Sequence, residues 1–154
     1  MSKRLLPRSH AAVLLVLGLL LSAPASRAET YADAHGGGVR AVLSTGKTVT
    51  DEPIVYPTGA PAKITAVEIT LEPGQQTGWH QHPVPLFGYI LEGELTVDYG
   101  PFGKRTYRQG EGLAEAMNEA HNGRNTGAGV LKILAVFIGA EGVPDTTRAS
   151  PPAR

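Results

Sequence analysis

The feature that most constrains the fold is a series of short β-type runs, each bounded by glycine, proline or asparagine. In the run 64–71, Val67, Ile69 and Leu71 share one face, and Glu68 and Thr70 share the other. Similar runs cover 86–91, 94–99, 104–108 and 130–138, a hairpin turn is predicted at 100–103, and 111–119 is interpreted as a strand with a turn. Short strands at this spacing predict an all-β antiparallel sandwich or small barrel.

The first 28 residues have the layout of a secretory signal peptide. A basic start at Lys3 and Arg4 precedes an apolar run at 11–21, and Ser26-Arg27-Ala28 places small residues where signal peptidase cleaves. At 1.5 Å per residue the apolar run is too short to span a hydrocarbon core about 30 Å thick. We therefore expect cleavage after Ala28, export to the periplasm or secretion, and no stable membrane insertion of the mature chain.

The remainder of the chain suits a single domain. Residues 29–38 are interpreted as a linker, 39–141 as one β-barrel domain, and 142–154 as an extended, frayed tail. The leader holds four of the 14 basic residues and none of the 14 acidic ones, so the mature chain has a net negative charge. This charge predicts that the protein has no nucleic-acid-binding surface. Because the chain has no cysteine, its stability has to come from a hydrophobic core, aided by a metal ion or a partner subunit.

Three of the five histidines stand in positions that suit a metal site. His80 and His82 are one residue apart, and His121 follows in another segment rich in glycine and asparagine. In a β-strand, side chains i and i+2 point to the same face, about 6.6 Å apart at the backbone. The imidazoles of His80 and His82 can therefore converge on one ion, with His121 as the third ligand.

These residues resemble the first motif of the cupin superfamily, a group of small β-barrels. That motif is glycine, five residues, His-x-His, three or four residues, glutamate, six residues, glycine. Gly74, His80, His82 and Gly93 match it in register.

The second cupin motif is also present. It is glycine, five residues, Pro-x-Gly, two residues, histidine, three residues, asparagine. Gly110, His121 and Asn125 match its spacing, whereas Ala116 and Asn118 stand at the proline and glycine positions. The resemblance covers roughly residues 64–138. It implies a double-stranded β-helix of the jelly-roll type and one bound divalent ion.

One departure from the first motif affects the chemistry. Leu86 stands where the family's metal-binding glutamate is expected, so the ligand set has three imidazoles and no carboxylate. Such an ion is a stronger Lewis acid and keeps more positions open for water, substrate or dioxygen. The pattern is similar to three-histidine cupins, which include some thiol and β-diketone dioxygenases. Three imidazoles do not select the metal, which stays open among iron, manganese, nickel and zinc.

Strand parity predicts the character of the pocket. Leu86, Gly88 and Ile90 are expected to face inward, and Phe87 and Tyr89 to face outward, where a second sheet or the second subunit of a homodimer has to cover them. No arginine or lysine is predicted at an inward position. A small, mostly apolar or aromatic ligand is therefore favoured over a phosphorylated one.

Whether the protein is an enzyme stays open at this point. Glu119 shares strand parity with His121 and is a weak candidate for a catalytic base or an outer ligand. The leading hypothesis is an exported metal-binding cupin with a dioxygenase-type activity. One alternative is a non-catalytic module that binds a small ligand or a metal. The other is a metal-free isomerase or epimerase, in which the three histidines would not converge.

Overall fold

The computed structural model describes residues 38–153 and shows an almost entirely β protein. The predicted signal peptide and nearly all of the predicted linker lie outside these residues. The strands are β1 (Ala62–Leu71), β2 (His80–Gln81), β3 (Leu86–Glu92), β4 (Glu94–Asp98), β5 (Lys104–Arg108), β6 (Gly112–Ala114), β7 (Asn122–Asn125), β8 (Leu131–Ala140) and β9 (Thr147–Arg148). The one helical element in this part of the chain is a 3-10 turn, Gly100–Phe102, at the predicted hairpin between β4 and β5. No described helix is long and apolar enough to cross a membrane.

The strands form two facing layers. The first is a four-stranded sheet in the order β1-β8-β3-β6, and the second contains the sheets β5-β4-β7 and β2-β9. Backbone bridges from His80 to His121 and from Gln76 to Arg124 join the β2 segment to the β7 segment. The second layer therefore runs β5, β4, β7, β2, β9. All pairings are antiparallel, which confirms the predicted all-β fold of the cupin jelly-roll type.

Alternation along the strands places the core between the layers. In β8, Leu131, Ile133, Ala135 and Phe137 are buried and alternate with half-buried residues. One buried cluster surrounds Leu131 and Ile133, and a second surrounds Ala135 and Phe137. Burying each large apolar side chain contributes roughly 1.5–3 kcal/mol, so this core can stabilise a domain that has no disulfide.

The chain before β1 covers the outer face of β3 and β6. Val49 donates its backbone N–H to Ala114 (2.9 Å), and the Arg40 guanidinium lies 3.5 Å from the Tyr89 hydroxyl. The Leu43 side chain approaches Gly112. This segment therefore covers part of the outward surface that the sequence assigned to a second sheet or a second subunit.

The segment after β8 is extended, as predicted, but its described part is not frayed. Thr147 and Arg148 form β9 and pair with Gln81 and His80 of β2. Beyond β9, Pro152 lies so close to Gly100 that a Cβ at that glycine would overlap the proline ring. Sequence alternation does not reveal this docking, because backbone pairing and a single ring contact hold the segment in place.

Candidate metal centre and its cavity

The structure brings the three predicted ligands together. The ring centroids of His80, His82 and His121 are 4.5–5.0 Å apart. One nitrogen from each ring lies within 4.8 Å of the other two. Nitrogens about 2.1 Å from one ion lie about 3–4 Å apart, so small ring rotations would complete the geometry.

Local backbone pairing produces this convergence. His80 and His121 exchange backbone hydrogen bonds of 3.0 and 2.9 Å, and directly opposed residues on antiparallel strands project to the same face. His82 lies just beyond β2, and its N–H donates to the carbonyl of Met117 (2.7 Å). The i, i+2 argument from the sequence therefore holds for the side chains, although only two residues there are regular strand.

Each imidazole is oriented by a backbone carbonyl. The Nδ1 atoms of His80, His82 and His121 lie 2.8–2.9 Å from the carbonyl oxygens of Gly78, Asp145 and Glu119, respectively. Since a carbonyl can only accept, each Nδ1 carries the proton and each Nε2 keeps its lone pair. Metal-binding histidines are typically braced in this way.

His121 gives independent evidence for a ligand. Its Nε2 is buried and has no hydrogen-bond partner among the described residues, and its side chain is only 1% exposed. An unsatisfied buried acceptor costs roughly 1–3 kcal/mol, whereas coordination of an ion would satisfy it. The donor set of three neutral imidazoles therefore fits a divalent metal ion.

Burial keeps the imidazoles of His80 and His82 neutral. Desolvation, together with the neighbouring histidines and despite the Asp145 carbonyl, lowers the pKa of His82 to about 3. Desolvation also lowers the pKa of His80. A neutral histidine is the form that binds metal, so at neutral pH no proton competes with a metal ion for His80 or His82.

The centre lies on the wall of a cavity of about 700 Å³ between the two layers. Leu86 and Gly88 line it, as the parity argument predicted, whereas Ile90 is fully buried in the adjacent core. The remaining lining is mostly apolar and includes Ile69, Trp79, Leu95, Val97, Leu113, Ile133, Ala135 and Phe137. This volume lies in the usual range for a small-molecule site.

The carboxylate in the cavity is Glu115, which the sequence analysis missed. Glu115 is 7% exposed and lines the cavity, and its Oε1 accepts the Ala116 N–H (3.0 Å). Burial, followed by the charge of Glu115, raises the pKa of Tyr99, whose hydroxyl lies 3.3 Å from that of Tyr107. Alternation from the apolar Leu113 was the signal that could have placed Glu115 inward.

Glu119, the predicted weak catalytic candidate, is half-buried and is not among the residues that line the cavity. Its backbone carbonyl orients His121 instead. The expectation that no basic residue faces the cavity was wrong, because Arg148 of β9, although exposed, is one of the lining residues. No local pattern indicated Arg148, because β9 was not predicted as a strand.

The comparisons with known proteins agree with this fold. Residues 67–137 match the family model described as "Cupin domain". No curated protein matches the chain. Among solved structures, the chain resembles the DMSP lyase DddQ from Ruegeria pomeroyi (20% identity, TM-score 0.50, 59% of this chain and 45% of that one). It also resembles an oxalate decarboxylase from Lactobacillus farciminis (22% identity, TM-score 0.47, 55% of this chain and 26% of that one).

The chain thus spans less than half the length of either of these enzymes, and at these identities the likeness is one of fold. The family match, the two motifs in register and the jelly-roll topology all concern the same region. Together they show that residues 67–137 of this chain form a cupin domain.

Proposed function

We propose that this protein is an exported metal-binding cupin that acts on a small, mostly apolar molecule. His80, His82 and His121 would hold one divalent ion, and the adjoining cavity would receive the molecule. The observation that carries the proposal is the set of three Nδ1 atoms fixed by carbonyls, together with the buried Nε2 of His121, which has no hydrogen-bond partner within residues 38–153. The convergence of the rings argues against the metal-free isomerase alternative.

The reaction class that we favour is dioxygenation. An ion held by three neutral ligands supplies Lewis acidity and open positions for both a chelating substrate and dioxygen. Leu86 supports this reaction class, because it leaves the family's carboxylate position without a ligand and lies on the cavity wall. Both oxygen atoms enter the product in a dioxygenation, so no external reductant is required.

Glu115 favours an enzyme over a passive binding module. A non-catalytic cavity for an apolar ligand needs no carboxylate, and burying one is costly unless it is hydrogen-bonded. Glu115 is buried in this cavity and affects the pKa of His80 electrostatically. A carboxylate in that position could exchange a proton with a bound substrate.

Metal titration tests the ion site. Protein stripped with a chelator should bind one equivalent of zinc, iron, manganese or nickel by calorimetry. His80→Gln should weaken binding at least about 100-fold, since loss of outer partners alone costs 10–100-fold. His35→Gln, which removes a histidine that belongs to neither sequence motif, is the matched control. Wild-type protein that binds none of these ions would refute the proposal.

Oxygen uptake tests the reaction class. Iron-loaded protein should consume dioxygen with a β-diketone or a small thiol, and Glu115→Gln should slow uptake while its zinc affinity is unchanged. If iron binds but none of these substrates supports uptake, the binding-module alternative gains support.

Export is tested by fractionation and N-terminal sequencing. We expect soluble periplasmic or secreted protein that begins near Glu29. Full-length chain in the membrane pellet would contradict the signal-peptide interpretation.

We also propose a homodimer formed through β1. This ten-residue strand pairs with β8 and with no other described strand, and Ile64 on it is 72% exposed. An unpaired edge can pair with its copy about a two-fold axis. Light scattering should give a dimer for the wild type and a monomer for Ile64→Lys. A monomeric wild type would contradict this assembly.

A further inference from the structure

We propose that Arg148 binds the carboxylate of a small organic acid whose apolar body lies in the cavity. The inference rests on the proposed function in that it takes the cavity as the ligand site. It adds the chemical class of the ligand and a residue that determines specificity.

Strand pairing places the Arg148 side chain. Arg148 is the direct antiparallel partner of His80, which in turn is bridged to His121 on its other side. Opposed residues share a face, so Arg148 stands beside a metal-ligand histidine and points to the same side. Its neighbour Thr147 is paired with Gln81 on the opposite face.

The same segment also orients the metal site. The backbone carbonyl of Asp145 accepts a hydrogen bond from His82 Nδ1 (2.9 Å), and the Thr146 hydroxyl lies 3.2 Å from that nitrogen. Thr146 and Arg148 both line the cavity. The stretch 145–148 therefore braces one ligand and presents a guanidinium beside another.

The charge of Arg148 has no internal counterpart. None of the five ion pairs in the described chain includes Arg148, and it is the one arginine or lysine among the lining residues. The acid that lines the cavity, Glu115, is buried and accepts the Ala116 N–H. A divalent ion at the histidines would add two further positive charges. The entrance therefore attracts an anion.

The surroundings favour a monocarboxylate over a phosphate. A planar guanidinium matches a carboxylate with two parallel hydrogen bonds. A phosphate dianion usually needs several donors, whereas one arginine is available here and the walls at Leu86, Ile133 and Phe137 are apolar. An acid with a compact apolar or aromatic body satisfies both parts of the cavity.

Benzoate and benzyl alcohol are suitable probes, because they share a ring and differ in charge. In calorimetry on zinc-loaded protein, benzoate should bind, and its affinity should fall as the sodium chloride concentration is raised. Arg148→Gln should lower the affinity for benzoate at least about tenfold, as expected for the loss of a charged hydrogen bond. It should leave the weaker binding of benzyl alcohol unchanged. Arg105→Gln, which removes an exposed arginine of β5, is the matched control.

Two further measurements separate the sources of binding. Zinc affinity should be the same in Arg148→Gln as in the wild type, so loss of benzoate binding cannot be attributed to loss of the ion. The effect of Arg148→Gln on benzoate should persist in metal-free protein, which keeps the test valid even if the metal proposal fails. Equal benzoate affinity in the wild type and Arg148→Gln, or no preference for benzoate over benzyl alcohol, would overturn the inference.

Discussion

Acid should destabilise the metal-free protein through His82. This side chain is 3% exposed, and burial lowers its pKa from 6.5 to about 3. Below pH 6.5 the unfolded chain takes up a proton at this position, whereas the folded chain does not until the pH approaches 3. The unfolded state thus binds more protons in that window, so the free energy of unfolding falls as the pH is lowered.

The size of the effect follows from the same shift. Between pH 6.5 and pH 5 one such group lowers the free energy of unfolding by about 2 kcal/mol, at 1.36 kcal/mol per pH unit. Urea unfolding of chelator-treated protein at pH 7.5 and pH 5 measures the loss. His82→Asn is the matched control, because its amide can still donate to the Asp145 carbonyl but cannot titrate. We expect the wild type to lose about 2 kcal/mol more than His82→Asn. Equal losses would refute the reasoning.

Three further predictions concern single residues. Leu86→Glu should bind zinc more tightly and lose oxygen uptake, because a carboxylate fills an open position; unchanged zinc affinity in a folded variant would show that the first motif is out of register. Asn125→Ala should lower the free energy of unfolding by about 3 kcal/mol, measured in urea, because its buried amide bonds the carbonyls of Leu71 and Gly129 (2.9 and 2.8 Å). Glu52→Ala should weaken zinc binding by about tenfold in calorimetry, and unchanged affinity would show that its loop does not position the site.

The long strands and the three converging histidines could be predicted because local sequence patterns indicate both. Alternation is visible within β1, whereas β3 and β8 are apolar runs bounded by glycine or proline, and the two histidine motifs have fixed spacing. The short strands β2, β7 and β9 were not predicted. The β7 stretch Asn122–Asn125 is polar and contains a glycine, so its strand character comes from pairing with β4 rather than from its own composition.

Two cavity residues, Glu115 and Arg148, were missed for the same physical reason. Glu115 follows the three-residue strand β6, where alternation from the apolar Leu113 was the one local signal for its inward side. Arg148 is placed by pairing with His80 across 68 positions of sequence, and no local pattern encodes a contact of that range. Long-range pairing therefore decided which polar groups joined the histidines in the cavity.

The candidate metal site depends on segments on both sides of the matched region 67–137. Downstream, Asp145 fixes the His82 ring. Upstream, the Glu52 carboxylate accepts the N–H groups of Met117 and Asn118 (2.9 and 3.0 Å). Burial alone would raise the pKa of Glu52, but these hydrogen bonds and those from threonine hydroxyls lower it.

The loop that Glu52 holds is the one in which the second motif departs from the family, with Ala116 and Asn118 in place of proline and glycine. Proline restricts a backbone covalently, whereas here a distant carboxylate restricts it by hydrogen bonding. The carbonyl of Met117 in the same loop accepts the backbone N–H of His82 (2.7 Å). Glu52 therefore stabilises both the loop that leads to His121 and the backbone of His82. For this reason we expect its loss to lower the metal affinity as well as the free energy of unfolding.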